Sequence, residues 1–455
     1  MAHVHHDHGH GHGDEPPLTS DATQRVLVGL VVLMGLAAVI GLFVLRPDAE
    51  RPILAEELGM AAELVDATVT GVEEVACFGT PEELGARCDE ISIEVTSGSP
   101  AGREGWFQLP VTEVMVDLSE GDRISVGYQE GVPENVEFYF NDFQRETPLL
   151  LLVALFAGAV IALGRWQGLR ALIGLVITGV VMVAFLFPSV LDGNDPTAVA
   201  LVSALVIALT ALYLTHGITE RTTVALLGTF AALAVTAVLA ALFSSLAKFT
   251  GFGAEDAVYL QVASSAVDIK GLILAGIIIG SLGVLDDVTI TQVSAVWQIH
   301  QANPSYGVRK LYRAGVTIGR DHIASTVNTL VLAYAGASLP LLLVFTQAGR
   351  RLTDVANGEL VAVEIVRTLV GSIGLITAVP VTTALAAWVI TKGSRASALP
   401  DEEVAPDPDA GDGDERDPRG DAAPVPIGRQ DPAPVDEDDD EGWEDFAPPA
   451  EPPRF

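Results

Sequence analysis

The chain has 455 residues, 49% of them hydrophobic, and a positive mean hydropathy of +0.41, yet its formal charge is −34. One globule cannot reconcile those values unless charge and apolar residues are segregated along the chain. With 25 Lys and Arg against 59 Asp and Glu, a nucleic-acid partner is excluded, because phosphate binding needs basic residues clustered on one face.

The segregation is sharp. Residues 46–147 carry 23 acidic and 6 basic residues, residues 401–455 carry 20 and 4, and the remainder is close to neutral and apolar. Composition therefore points to an α-helical polytopic membrane protein with a small β-rich extracytoplasmic domain and disordered termini. The segments are a head (1–25), an anchor (26–45), an exported domain (46–147), a seven-span bundle (148–392) and a tail (393–455).

The head, "MAHVHHDHGHGHGDE", holds six of the nine histidines: His3, His5, His6, His8, His10 and His12. Imidazole is a common ligand for Zn, Ni and Cu, and a flexible His-Gly tract lets several rings converge on one ion. A divalent metal on this tract is the one cofactor expected. Without a folded site its affinity should be moderate and its selectivity poor.

Apolar stretches long enough to cross about 30 Å of hydrocarbon occur at 26–45, 149–164 with its flanks, 171–190, 197–215, 222–247, 266–286, 322–346 and 365–391, which makes eight spans. Arg165, Arg170, Arg221, Arg309, Lys310, Arg313, Arg320, Lys392 and Arg395 all fall in loops on one side. The positive-inside rule makes that side cytoplasmic and puts both termini inside. Lys248, Lys270, Arg350 and Arg351 run against this assignment, as do Arg46 and Arg51. The first span lacks a small-residue cleavage site, so it reads as a retained anchor.

In the exported region, "DATVTGVEEVACF", "EISIEVTSG", "VTEVMVDLSEGDRISVGY" and "NVEFYF" are β-branched and aromatic runs separated by Gly, Pro and acidic turns, the pattern of short strands. Cys77 and Cys88, the only cysteines, both lie here. Their spacing in an oxidising compartment permits a disulfide stabilising the domain by about 2–3 kcal/mol. The region contains no histidine, which argues against an exported Ser-His-Asp hydrolase.

The run "GLILAGIIIGSLGVL" ends in two adjacent carboxylates, Asp286 and Asp287. If the helix continues, Asp287, Thr291, Ser294 and Gln298 share a stripe, with Asp286, Thr289 and Gln292 beside it. Carboxylates in a span cost a few kcal/mol and are expected to face a bundle interior or a wet cavity. The next span, "RDHIASTVNTLVLAYAG", puts Asp321, Ser325 and Asn328 on one face with His322 alongside, so the sixth and seventh spans are expected to present polar stripes to one another. A competing reading ends the sixth span at the carboxylates and lays "VTITQVSAVWQIHQ" in the interface as an amphipathic helix. Gly276 and Gly280 have the spacing used for close packing of membrane helices. The tail is rich in Pro, Asp and Gly and too poor in apolar residues to order. Within "DEDDDEGWEDFAPP", Trp443 and Phe446 would share a helical face toward a basic, grooved cytoplasmic protein.

The combination of anchor, exported domain ending in "FNDFQRETPLLLLVALF", the loops "LGRWQGLRALIGL" and "THGITERTTVALLGT", and above all "GSLGVLDDVTITQVSAV" resembles the YibE/F-like family of bacterial multi-pass membrane proteins. The resemblance covers roughly residues 50–392. It implies an integral membrane protein of Gram-positive bacteria, permease-like in appearance, without an established substrate or cofactor. The family's motif residues fall on Asp286, Asp287, Thr289 and Gln292, and the resemblance assigns them no chemistry.

The expected function is a permease-like protein that moves a small solute or ion along a path lined by the sixth and seventh spans. A membrane-anchored sensor or scaffold, with the β domain outside and the acidic tail as a docking arm, is the alternative. An intramembrane aspartyl protease would need Asp287 and Asp321 as an opposed pair and has no supporting motif, so no enzymatic activity is expected. The expected partners are the lipid bilayer, a cytoplasmic protein on the tail and a second copy of the chain.

Overall fold

The structure, a computed structural model, describes residues 21–47, 63–78, 87–111, 116–253, 255–264, 266–347, 349 and 351–396. The histidine tract and the tail aromatics Trp443 and Phe446 lie outside the described residues.

Helix α1 (Asp21–Val44) leads to a five-stranded antiparallel sheet: β1 (Glu63–Ala76), β2 (Arg87–Val95), β3 (Glu104–Pro110), β4 (Arg123–Tyr128) and β5 (Phe138–Phe143), with one short helical turn, α2 (Glu134–Glu137), before β5. The spatial order is β3-β2-β1-β4-β5. Alternation along the strands sends Val65, Ala67, Val69, Ile91, Ile93, Ile124 and Val126 to one face, where Phe107 and Phe138 complete the core. The predicted turn "LSEGD" closes with the Ser119 N–H donating to Asp122 Oδ2 at 2.8 Å, and Gly121 supplies its φ of +93°. Cys77 and Cys88 are disulfide-bonded with Cα atoms 5.0 Å apart, tying the end of β1 to the start of β2. Outside the membrane, hydrogen bonds from the Ser99 hydroxyl and backbone hold the Glu63 carboxyl below the usual range.

Strand β3 was not among the expected runs. "EGWFQLP" has no β-branched residue; its conformation comes from pairing with β2, where Ile91 faces Phe107.

The rest is helical: α3 (Glu146–Val181), continuing through a wide turn at Met182–Leu186 into α4 (Phe187–Leu191), then α5 (Pro196–His216), α6 (Glu220–Leu246), α7 (Glu255–Ala263), α8 (Ile269–Ala302), α9 (Val308–Ala337), α10 (Leu339–Gln347), α11 (Leu352–Asn357) and α12 (Glu359–Ala396). The starts carry the expected local chemistry. Asp195 caps α5 by accepting from the Ala198 N–H at 2.8 Å, with Pro196 in the first turn, and Asp268 accepts from the Lys270 N–H at 3.1 Å at the head of α8.

Among the described residues, six helices are long and apolar enough to cross a membrane, or seven if α9 and α10, bent by 59°, are one span. The chain is a membrane protein. The number is lower than the expected eight because 149–164 and 171–190 fall in one helical run, Glu146–Leu191, counted once. That run is broken at Arg165, where φ is 50° and ψ −128°. Gly168 sits against the Val160 carbonyl, closely enough that a Cβ would collide with it. Residues eight apart in an unbroken helix lie about 12 Å apart along its axis, so the chain doubles back at Arg165 and the run has two limbs.

Helix α8 is the hub, packed on α5, α6, α9 and α12. Its residues Ile278, Leu282, Leu285, Val293, Val296 and Trp297 form the main core with Ala204, Ala208, Val224, Leu233, Ala386 and Ile390. Small residues permit the approach: Gly228 lies against Thr382, and Gly374 against Thr236.

Candidate functional site

The carboxylates Asp286 and Asp287 sit in the middle of a 34-residue helix. Beyond them Val288, Thr289, Ile290, Gln292, Val293, Val296, Trp297 and His300 are buried. The Arg221 guanidinium lies 6.0 Å from the Trp297 ring centre, ten residues or about 15 Å further along the axis. The helix therefore continues as a packed bundle element, and the competing interfacial helix is not what the chain forms.

The two polar stripes on α8 have different fates. Asp286 is half-buried, Thr289 and Gln292 are buried, whereas Asp287, Thr291 and Gln298 are exposed and Ser294 is half-buried. Asp286, Asp287 and Ile290 face Ala211, Leu212, Thr215 and His216 of α5 across a pocket of about 120 Å³. The Asp287 N–H donates to Asp286 Oδ1 at 2.9 Å. The hydroxyls of Thr291 and Ser294 donate to the carbonyls of Asp287 and Ile290, at 2.9 and 2.8 Å. Two adjacent carboxylates opposite an imidazole and a hydroxyl can pass a proton or hold a hydrated cation.

The buried residues do structural work. Thr289 and Thr229 of α6 share a hydroxyl hydrogen bond of 2.6 Å. Gln292 Nε2 donates to the Gly315 carbonyl of α9 and to Thr383 Oγ1 of α12, both at 2.8 Å. The amide thus joins three helices, and the glycines permit the close approach: a Cβ at Gly319 would press on Gln292, and one at Gly315 on Thr383 and Val296.

The expected facing of α8 and α9 stripes does not occur. Asp321, His322, Ser325 and Asn328 are all exposed. Helix α9 turns its other face inward, burying Leu311, Gly315 and Gly319 and packing Ile323, Val327 and Leu330 on Val288, Leu375 and Val379. The reason is steric and hydrophobic together: the glycine pair allows close approach, and the aliphatic residues lie on its side of the helix. Asp287 and Asp321 are not an opposed pair on facing stripes.

Gly276 and Gly280 accommodate side chains rather than a second helix backbone. A Cβ at 276 would lie 3.5 Å from Arg367 Nη2, and one at 280 would lie 3.4 Å from Tyr334 Oη. This exposes a second polar locus that the spacing argument missed. Glu359, at the start of α12, accepts from the Thr250 and Gly251 N–H groups at 2.8 and 2.6 Å and from the Thr250 hydroxyl at 2.7 Å. One to two turns further along the helix, Arg367 Nη1 donates to Glu364 Oε1 at 2.7 Å. The signal was present as charges recurring within "ELVAVEIVRTLVGS", across the start of the apolar run taken as the last span. Among the described residues, no group of three or more His, Cys, Asp or Glu side chains is placed to hold a metal ion.

Residues 152–392 match the YibE/F-like protein family. No curated protein and no solved structure matches the chain.

Proposed function

The chain belongs to the YibE/F-like family, and on that premise we propose that it is a permease-like protein of the bacterial plasma membrane, moving a small solute or ion without enzymatic turnover. The observation that carries this reading is the half-buried Asp286, beside Asp287, in the middle of a bundle helix and opening on the pocket shared with Thr215 and His216. Ionisable groups at such a position are costly unless wetted or paired, and where they persist they mark ion and proton paths. The path proposed runs between α5 and α8, not between the sixth and seventh spans as the sequence suggested. Both termini are proposed to be cytoplasmic, with the cationic loops between spans on the same side.

The outward polar stripe of α9 supports a second proposal, that copies of the chain associate through it. Asp321, Ser325 and Asn328 cannot face lipid cheaply, and membrane helices cover such residues against one another.

Cysteine accessibility tests the path. In the chain as it stands, whose two native cysteines are bonded to each other, Thr215→Cys and Thr291→Cys should react with a charged, membrane-impermeant thiol reagent, while Leu155→Cys on an exposed apolar surface should not. Labelling of position 155 at the same rate as 215, or labelling of 215 only by a lipid-soluble maleimide, would remove the wet path and leave the exported β domain as the better guide to function, as a sensor or scaffold.

A further inference from the structure

The bend between α9 and α10 has a local cause. Pro340, the second residue of α10, has no N–H to continue the hydrogen-bond ladder of α9. At membrane depth, a broken helix is tolerated where it lines a cavity or is buried in protein, and such breaks recur at solute sites. This one lines a cavity of about 360 Å³, walled by Tyr334, Ser338, Leu342, Val361, Glu364 and Leu369 among others. A second cavity, of about 230 Å³, is lined by Gly251, Ile273, Glu359, Glu364 and Arg367. Glu364 lines both, so the two adjoin at this residue. The larger is within the size range of small-molecule sites, about 300–1,000 Å³, and its walls are almost wholly apolar, whereas the smaller presents the polar surface.

The charge at the junction is uneven. Glu359 and Glu364 face a single cation, Arg367. Arg367 engages only Glu364 Oε1; Oε2 accepts no hydrogen bond among the described residues, and the Tyr334 hydroxyl makes none there either. A carboxylate oxygen at the mouth of an apolar cavity is stabilised by a cationic donor and repels an anion.

We infer that the paired cavity binds a small amphiphile, its apolar body lying along α9, α10 and α12 and a protonated amine donating to Glu364 Oε2. This site is distinct from the Asp286 pocket and does not depend on transport. Its ligand chemistry has two sources, a free alkylamine or the headgroup of an amine-bearing lipid.

The test is thermal unfolding of the full chain in a non-ionic detergent near neutral pH with octylamine, octanol or octanoate. A ligand that binds only the native state raises the melting temperature by mass action. Octylamine should raise it by several degrees, and the other two probes should do so far less. Glu364→Gln should abolish the octylamine shift, Glu364→Asp should keep part of it, and Leu342→Trp, which fills the apolar part, should abolish it while retaining the carboxylate. Asp286→Asn should leave it intact. Equal shifts from all three probes, or an octylamine shift that survives both Glu364→Gln and Leu342→Trp, would overturn the inference. Mass spectrometry of the chain released from its native lipid separates the sources: a retained amine-bearing lipid lost in Glu364→Gln assigns the site to a headgroup, and octylamine binding without such a lipid assigns it to a solute.

Discussion

Helices α8 and α9 run antiparallel side by side and carry similar patterns, a polar stripe against aliphatic residues, yet they bury opposite halves. In α8 the half with Thr289 and Gln292 is inside; in α9 the half with Asp321, Ser325 and Asn328 is outside. The difference lies in what each polar group meets. Gln292 reaches the Gly315 carbonyl and the Thr383 hydroxyl, so its burial costs little. Asn328 has no such receiving site among the described residues on its side of the bundle. A polar stripe is internal where neighbouring glycines and hydroxyls receive it, and external where they do not.

The comparison breaks most visibly at Gly319. Gly319→Leu would drive a side chain into Val379 and Gln292, and overpacking of this kind costs about 3 kcal/mol or more. The melting temperature of the solubilised chain should fall further than for any other exchange named here, and an unchanged value would mean that α9 does not pack on its glycine face. Gln292→Ala should cost about 2 kcal/mol, from the cavity and the lost hydrogen bonds, read in the same measurement; Gln292→Leu, which fills the space, should cost less. The smallest effect on the single chain belongs to Asn328→Leu, within about 0.5 kcal/mol because the residue is exposed. Its effect should appear instead in cross-linking, as loss of the associated species. If Asn328→Leu lowers the melting temperature as much as Gln292→Ala, the α9 stripe is internal and the contrast fails.

Much of the architecture was legible because it depends on local properties. The apolar runs gave the helices, the alternating runs gave four of the five strands, and the helical period correctly grouped Asp286 with Thr289 and Gln292. What was missed depended on distant partners. The reversal at Arg165 falls where a loop between the second and third spans was expected, but its tightness, a single residue with φ 50° inside a helical run, was not legible. Strand β3 exists because β2 receives it. The Glu364–Arg367 pair was passed over because charges at the head of an apolar run read as a span boundary; only the fold around Gly251, Gly276 and Tyr334 makes a cavity there.

By itself the sequence determined that this is a membrane protein of the YibE/F-like family with an acidic β domain ahead of its bundle, and that two carboxylates lie within a helix. Those are consequences of composition and period, which each segment carries alone. The tertiary structure decided that Asp286 looks toward Thr215 and His216 on α5, that Gln292 ties three helices together, and that the α9 stripe faces away from the bundle. Such choices rest on contacts between residues 23 to 91 positions apart in the case of Gln292, and the packing of small residues on neighbouring helices settles them.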